Sequence, residues 1–165
     1  MKKFFKRLGL VLLAVLVIIQ FFRPERNAGK SPGEKNIATV FPVSAEVNGL
    51  LKTACNDCHS ASTYYPWYAN IQPVGWWLNH HVEEGKGELD FDQFAAYSPR
   101  RQFHKFEEIV EMINEGEMPL SSYTLIHGDA DLNDAQKKVL VNWAEAMMDT
   151  MKAHYPEDSL KRPRR

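Results

Sequence analysis

Behind a short basic start, the chain passes into "LGLVLLAVLVIIQFF", Leu8–Phe22, apolar at every position except Gln20. The next stretch, "RPERNAGKSPGEKNIATVFP", has no periodic apolar spacing and is rich in Pro, Gly and mixed charge. Residues 23–42 therefore read as a flexible linker. From Val43 the pattern turns helical. Ser44 can cap a helix whose apolar positions Val47, Leu50, Leu51 and Ala54 lead into Cys55. Pro73 suits a first helical turn before "VGWWLNHHVEEG", which Gly85 is expected to end. Phe106, Ile109, Val110 and Ile113 share one face of a helix that stops at Gly116. Asn133 with Gln136 forms a capping-box start for a last helix with the stripe Leu140, Trp143, Ala144, Met147 and Met151. No sustained alternation marks a strand, so the fold class is all-α. The connections Leu89–Gln102 and Pro119–Leu132 are long for plain loops, which points to segments that wrap something.

The apolar N-terminal run is shorter than the roughly 20 residues that span a bilayer comfortably. Phe4 and Phe5 extend it, and flanking Lys and Arg can snorkel. No small-residue cleavage site follows, so residues 1–22 are expected to remain as a membrane anchor. The basic cluster Lys2, Lys3, Lys6 and Arg7 keeps that end in the cytoplasm and exports the remainder. This gives a single-pass protein of the cytoplasmic membrane, with residues 43–154 as an extracytoplasmic domain and 155–165 as a basic tail.

Composition changes the picture through charge. The net charge of −1 over 165 residues conceals basic ends and an acidic body: residues 36–159 hold eight basic against nineteen acidic residues, a net of −11. Such a body repels phosphates and argues against nucleic acid as a partner.

The chain uses cysteine only twice, in Cys55-Asn56-Asp57-Cys58-His59. A disulfide across two residues restrains little of the unfolded chain. A thioredoxin-like dithiol needs a βαβ context that is missing here. A structural zinc ion needs further ligands, for which His80, His81, His104, His127, His154 or carboxylates are the candidates. The fourth reading is attachment of one c-type haem, for which C-x-x-C-H is the signature. Two thiols on one helical turn match two vinyl groups, and the adjacent His59 is then placed to bind iron. An export segment ahead of the motif and an all-helical surrounding favour this reading.

Met118 in "EGEMPLSSY" lies between a helix stop and Pro119, off any periodic apolar face, and is the candidate second iron ligand. His81, His80 and His127 are the alternatives, and would give a bis-His iron of lower potential. The aromatic cluster Tyr64, Tyr65, Trp67, Tyr68, Trp76 and Trp77 follows the motif. From it, Tyr65, Trp67 and Trp77 are expected to line an apolar porphyrin.

The segments "STYYPWY", "IQPVGWWLNHHVEEGKGELDF", "EEIVEMINEGEMPLSSYTLIHGDADL" and "VLVNWA" resemble the bacterial haem-binding domain family with a single C-x-x-C-H, a relative of class I c-type cytochromes. The resemblance runs from about Val43 to Met151. It implies a cytochrome-c-like helical fold, Cys55 and Cys58 as attachment points, His59 as proximal and Met118 as distal ligand, and crossing of the N- and C-terminal helices. Two functions fit: a tethered single-electron carrier serving a redox partner protein, or a haem enzyme or sensor with a displaceable sixth ligand.

Overall fold

The computed structural model describes residues 1–161, so Arg162, Arg164 and Arg165 of the basic tail lie outside the described residues. Among the described residues the regular structure is helical: α1 Lys2–Ile19, α2 Ala45–Ala54, α3 Asn56–His59, α4 Val74–Glu88, α5 Pro99–Glu115, α6 Ser121–Thr124, α7 Asp134–His154 and α8 Glu157–Leu160. Among the described residues the one β-bridge joins Ala28 to Ser62.

The core forms where α5 packs along α7, with α2 touching α7 beside it. Phe106 meets the Trp143 ring edge-on at 5.6 Å, and Phe41 and Phe94 close the cluster at 5.0 and 5.1 Å from Phe106. The expected stripe of α7 is buried throughout, at Leu140, Trp143, Ala144, Met147 and Met151. Its start is the capping box: Asn133 Oδ1 accepts from Gln136 N, and Gln136 Oε1 accepts from Asn133 N. Helix α5 begins at Pro99 behind the Ser98 cap and ends at Gly116, whose φ of 76° relieves the last turn. The two long connections are not bare loops; they contain the short helical segments Phe94–Ala96, α6 and Gly128–Ala130.

Two expectations are corrected. Helix α4 does not end at Gly85 but runs three residues further, to Glu88. The glycine serves an approach rather than a stop: a Cβ there would lie 2.9 Å from the Cys58 carbonyl oxygen and 3.0 Å from Cys58 Cβ. Gly85 thus lets α4 pass directly over α3. Gly85→Ala is expected to lower stability by about 1–3 kcal/mol through this clash. Gly49→Ala, on an open face of α2 with nothing within 4 Å, should raise it by up to about 1 kcal/mol. Urea denaturation of both variants reads the difference in sign.

The stretch 23–42 is not a free linker. Ile37 and Phe41 enter the core. Asn27 donates through Nδ2 to Ser60 O and Thr63 Oγ1, and Gly29 N donates to Ala61 O at 2.7 Å. Asp92, almost wholly buried, accepts from Gly33 N, Asn36 Nδ2 and Ala61 N at 2.7–2.9 Å. Burial alone would raise its pKa, but these donors win and hold it below the usual carboxylate value. The stabilisation from this carboxylate is therefore complete above its unfolded pKa of about 3.9. It is lost as pH falls through the lower folded value. Asp92→Asn is expected to lose about 2 kcal/mol at neutral pH and to show a flatter acid limb in thermal melts. Likewise, the tail is not wholly detached, because Leu160 of α8 is buried against the core.

Helix α1 bears on the expected anchor. None of its residues is buried. Among the described residues no helix is long and apolar enough to cross a membrane; α1 has 18 residues, and Lys2, Lys3, Lys6 and Arg7 occupy its first turns.

Candidate functional site

Helix α2 delivers the cysteine motif to the surface of the core. Ser44 Oγ accepts from Val47 N, and the helix runs to Ala54. Cys55 breaks it with φ −128° and starts the short turn α3, whose Cys58 and His59 amides both return to Cys55 O. This turn puts Cys55, Cys58 and His59 on the wall of a cavity of about 530 Å³. A second hollow of about 390 Å³ adjoins it, with Ala54, Cys55, His59, Glu88 and Met118 bordering both. The two flank His59, and each falls in the range of about 300–1,000 Å³ usual for cofactor sites. A hollow of about 540 Å³ between Tyr97 and His154 is as large, yet has neither thiol nor thioether on its wall apart from the buried Met151. Chemistry, not volume, separates them.

The orientation of His59 follows from its hydrogen bond. Nδ1 lies 2.9 Å from Leu89 O; a carbonyl only accepts, so Nδ1 carries the proton and Nε2 keeps its lone pair. Burial holds the imidazole below its ordinary pKa, against the Leu89 and Gly85 carbonyls. The ring is thus neutral at physiological pH, with one nitrogen fixed and the other a ready metal donor. Leu89 can play this part because α4 overruns Gly85 and ends beside α3, which sequence periodicity does not reveal.

The two thiols are free. Burial pushes Cys55 up to about 12, with Cys58 adding to it, and pushes Cys58 up to about 11, with Asp57 adding. A redox dithiol requires the reverse shift, so this pair is not poised for thiol exchange. Nor is there a zinc centre: among the described residues no group of three or more His, Cys, Asp or Glu side chains could hold a metal ion. His80 pairs with Glu84 on the surface, His104 with Glu107 and Glu108, and His154 with Thr150 O.

Met118 borders both hollows. Its loop is held by Glu117 N and Met118 N, which both donate to Met112 O, and by Pro119 behind it. His81 and Tyr123 share the wall of the larger cavity. Tyr123 donates to Asp57 Oδ2 at 2.8 Å; burial and that carboxylate together raise its pKa, so it stays a phenol. Tyr123 and its bond to the cysteine motif were not foreseen, since the 66 intervening residues leave no local signal. His127 does not compete as a ligand. Its Nδ1 donates to Tyr123 O and its Nε2 accepts from Tyr68 O–H, so both nitrogens are engaged.

Of the aromatic residues expected to line a porphyrin, Tyr65 and Trp67 lie away from the main cavity. Trp67 is 75% exposed. Tyr65 turns its hydroxyl to Asn27 N and its ring to Arg26. Trp77 meets His81 edge-on at 4.5 Å and lines a smaller apolar hollow that shares Cys58, His81 and Tyr123 with the main cavity.

An imidazole with a free lone pair, a thioether and two thiols around an apolar cavity make a donor set that suits haem, and they define the class as a haem protein. The family model described as "Haem-binding domain" matches residues 14–146. The chain belongs to that family, and haem is its cofactor. No curated protein and no solved structure matches it.

Proposed function

We propose that the chain is a membrane-attached c-type cytochrome with a class I relationship, carrying one haem c covalently and passing single electrons to a partner protein. The observation that carries this reading is the convergence on one cavity of two thiols, the fixed neutral His59 and Met118. Cys55 and Cys58 would hold the haem through thioether links, and His59 Nε2 and Met118 Sδ would be its iron ligands. Iron between an imidazole and a thioether supplies a one-electron couple of raised potential. The protein's part is to keep that pair in place without rearrangement. The Leu89 carbonyl fixes the imidazole ring, and the Met112 carbonyl with Pro119 fixes the methionine loop. The acidic body steers a basic redox partner, less so at high salt.

Attachment to the membrane rests on α1. Its apolar residues from Leu8 to Ile18 are mostly exposed, a state that water penalises and a bilayer does not. In this proposal the basic first turns stay with the cytoplasmic headgroups and the haem domain lies on the extracytoplasmic side.

The test is haem staining after denaturing electrophoresis of protein from cells that mature exported cytochromes. A stained band whose pigment resists acidified acetone is expected; colourless protein would overturn the reading. A second reading, a haem enzyme or gas sensor, is favoured by His81 and Tyr123 beside Met118. Rapid, complete binding of carbon monoxide to the ferrous protein would select it, and resistance would select the electron carrier.

A further inference from the structure

The end of α1 is joined to the domain by a built contact. Gln20 Oε1 accepts from Gln72 N at 2.9 Å while Gln20 Nε2 donates to Gln72 O at 3.1 Å. Two residues on, Trp76 Nε1 donates to Phe22 O at 2.6 Å. Gln72 is buried, and its own Oε1 accepts from Trp76 N, so both its backbone and its side chain serve the joint. Gly75 makes room for it: a Cβ there would stand 2.6 Å from Ala69 O and 2.8 Å from Gln72 Nε2. Around this joint Phe21, Phe22, Ile71, Val74, Trp76 and Trp77 are all exposed. Arg23 and Arg26 follow directly, Arg26 tied to Asn70 Oδ1.

We infer that this collar seats in the headgroup layer of a phospholipid bilayer, so that the haem-binding domain lies against the membrane in one orientation instead of swinging on a tether. The inference rests on the proposed attachment through α1. A lipid surface is the occupant that fits, for three reasons. The collar is continuous with a helix none of whose apolar residues is buried against the protein. Trp and its neighbours have the amphipathic character that concentrates at the membrane interface. Arg23 and Arg26 bring positive charge to the level where anionic headgroups would lie. The two-point joint then transmits the depth and direction of α1 to the domain.

The test uses the full chain labelled with 5-fluorotryptophan, reduced, in bicelles of phosphatidylcholine and phosphatidylglycerol with and without a lipid spin-labelled near its headgroup. Resonances are assigned by single Trp→Phe replacements. The label should erase the Trp76 and Trp77 resonances and spare Trp143, which is buried in the core. In an Ile71→Glu/Val74→Glu variant both resonances should return while the protein still sediments with vesicles of the same lipids. Sedimentation of the wild type with Trp76 and Trp77 as sharp as Trp143 would overturn the inference and leave the anchor standing; a protein partner as the collar's occupant would give this result. Failure to sediment at all would overturn the anchor itself. Loss of both resonances in the double variant as well would show that the collar does not set the orientation.

Discussion

Protein carrying Cys55→Ala together with Cys58→Ala is expected to lose all haem stain from the denatured band. Each single replacement should retain a weaker band through the remaining thioether. The expectation follows from the site: α3 offers two thiols one turn apart, on the cavity wall that also holds His59. No other cysteine exists to replace them. The fold should suffer as well, because the cavity between α2, α4, α5 and the Met118 loop would stand empty, and an unfilled apolar hollow costs several kcal/mol when a core side chain is removed to make it. Full haem staining of the double variant would end the covalent reading while leaving noncovalent haem binding intact.

The second large effect concerns Met118. Met118→Ala should keep the covalent stain, change the visible spectrum of the oxidised protein and lower the reduction potential. A fall on the order of tenths of a volt lies within the ~0.8 V range that axial ligation commands. His81→Ala should leave spectrum and potential nearly unchanged, since His81 borders the cavity but is also pressed against Trp77 and faces Glu84. If the two variants exchange their behaviour, His81 is the sixth ligand and the iron is bis-His. His127→Ala is a further comparison, as that ring is held by Tyr68 and Tyr123.

Much of the helical frame was legible along the chain, for local reasons. Helices α5 and α7 announce themselves through apolar spacing of 3 and 4 and through caps whose partners are three residues away, as at Asn133 and Gln136. The motif Cys55–His59 is likewise local. What sequence pattern misplaced depends on contacts between distant segments. Gly85 reads as a helix stop because its reason for being small, the Cys58 backbone, is 27 residues away. Residues 23–42 read as linker because Pro, Gly and charge dominate them, while Ile37 and Phe41 enter the core one at a time without periodicity. Trp67, Tyr65 and Trp77 read as porphyrin walls because aromatic rings suit one. The structure gives Trp67 to the surface and Tyr65 to Asn27, and leaves Trp77 on a small hollow beside Cys58 and His81.

The clasp between Asn27–Asn36 and the segment Ser60–Asp92 decides where the protein can be shortened. A fragment begun at Val43 would discard partners of Asp92, Ser60 and Ala61, leaving the Asp92 carboxylate with Ala61 N but without Gly33 N and Asn36 Nδ2, and the Phe41 place in the aromatic cluster vacant. One begun just ahead of Arg23 would shed the greasy leader and keep every such bond. The boundary of the cooperative unit thus falls some twenty residues upstream of where the helical periodicity starts, and trimming experiments should find it there.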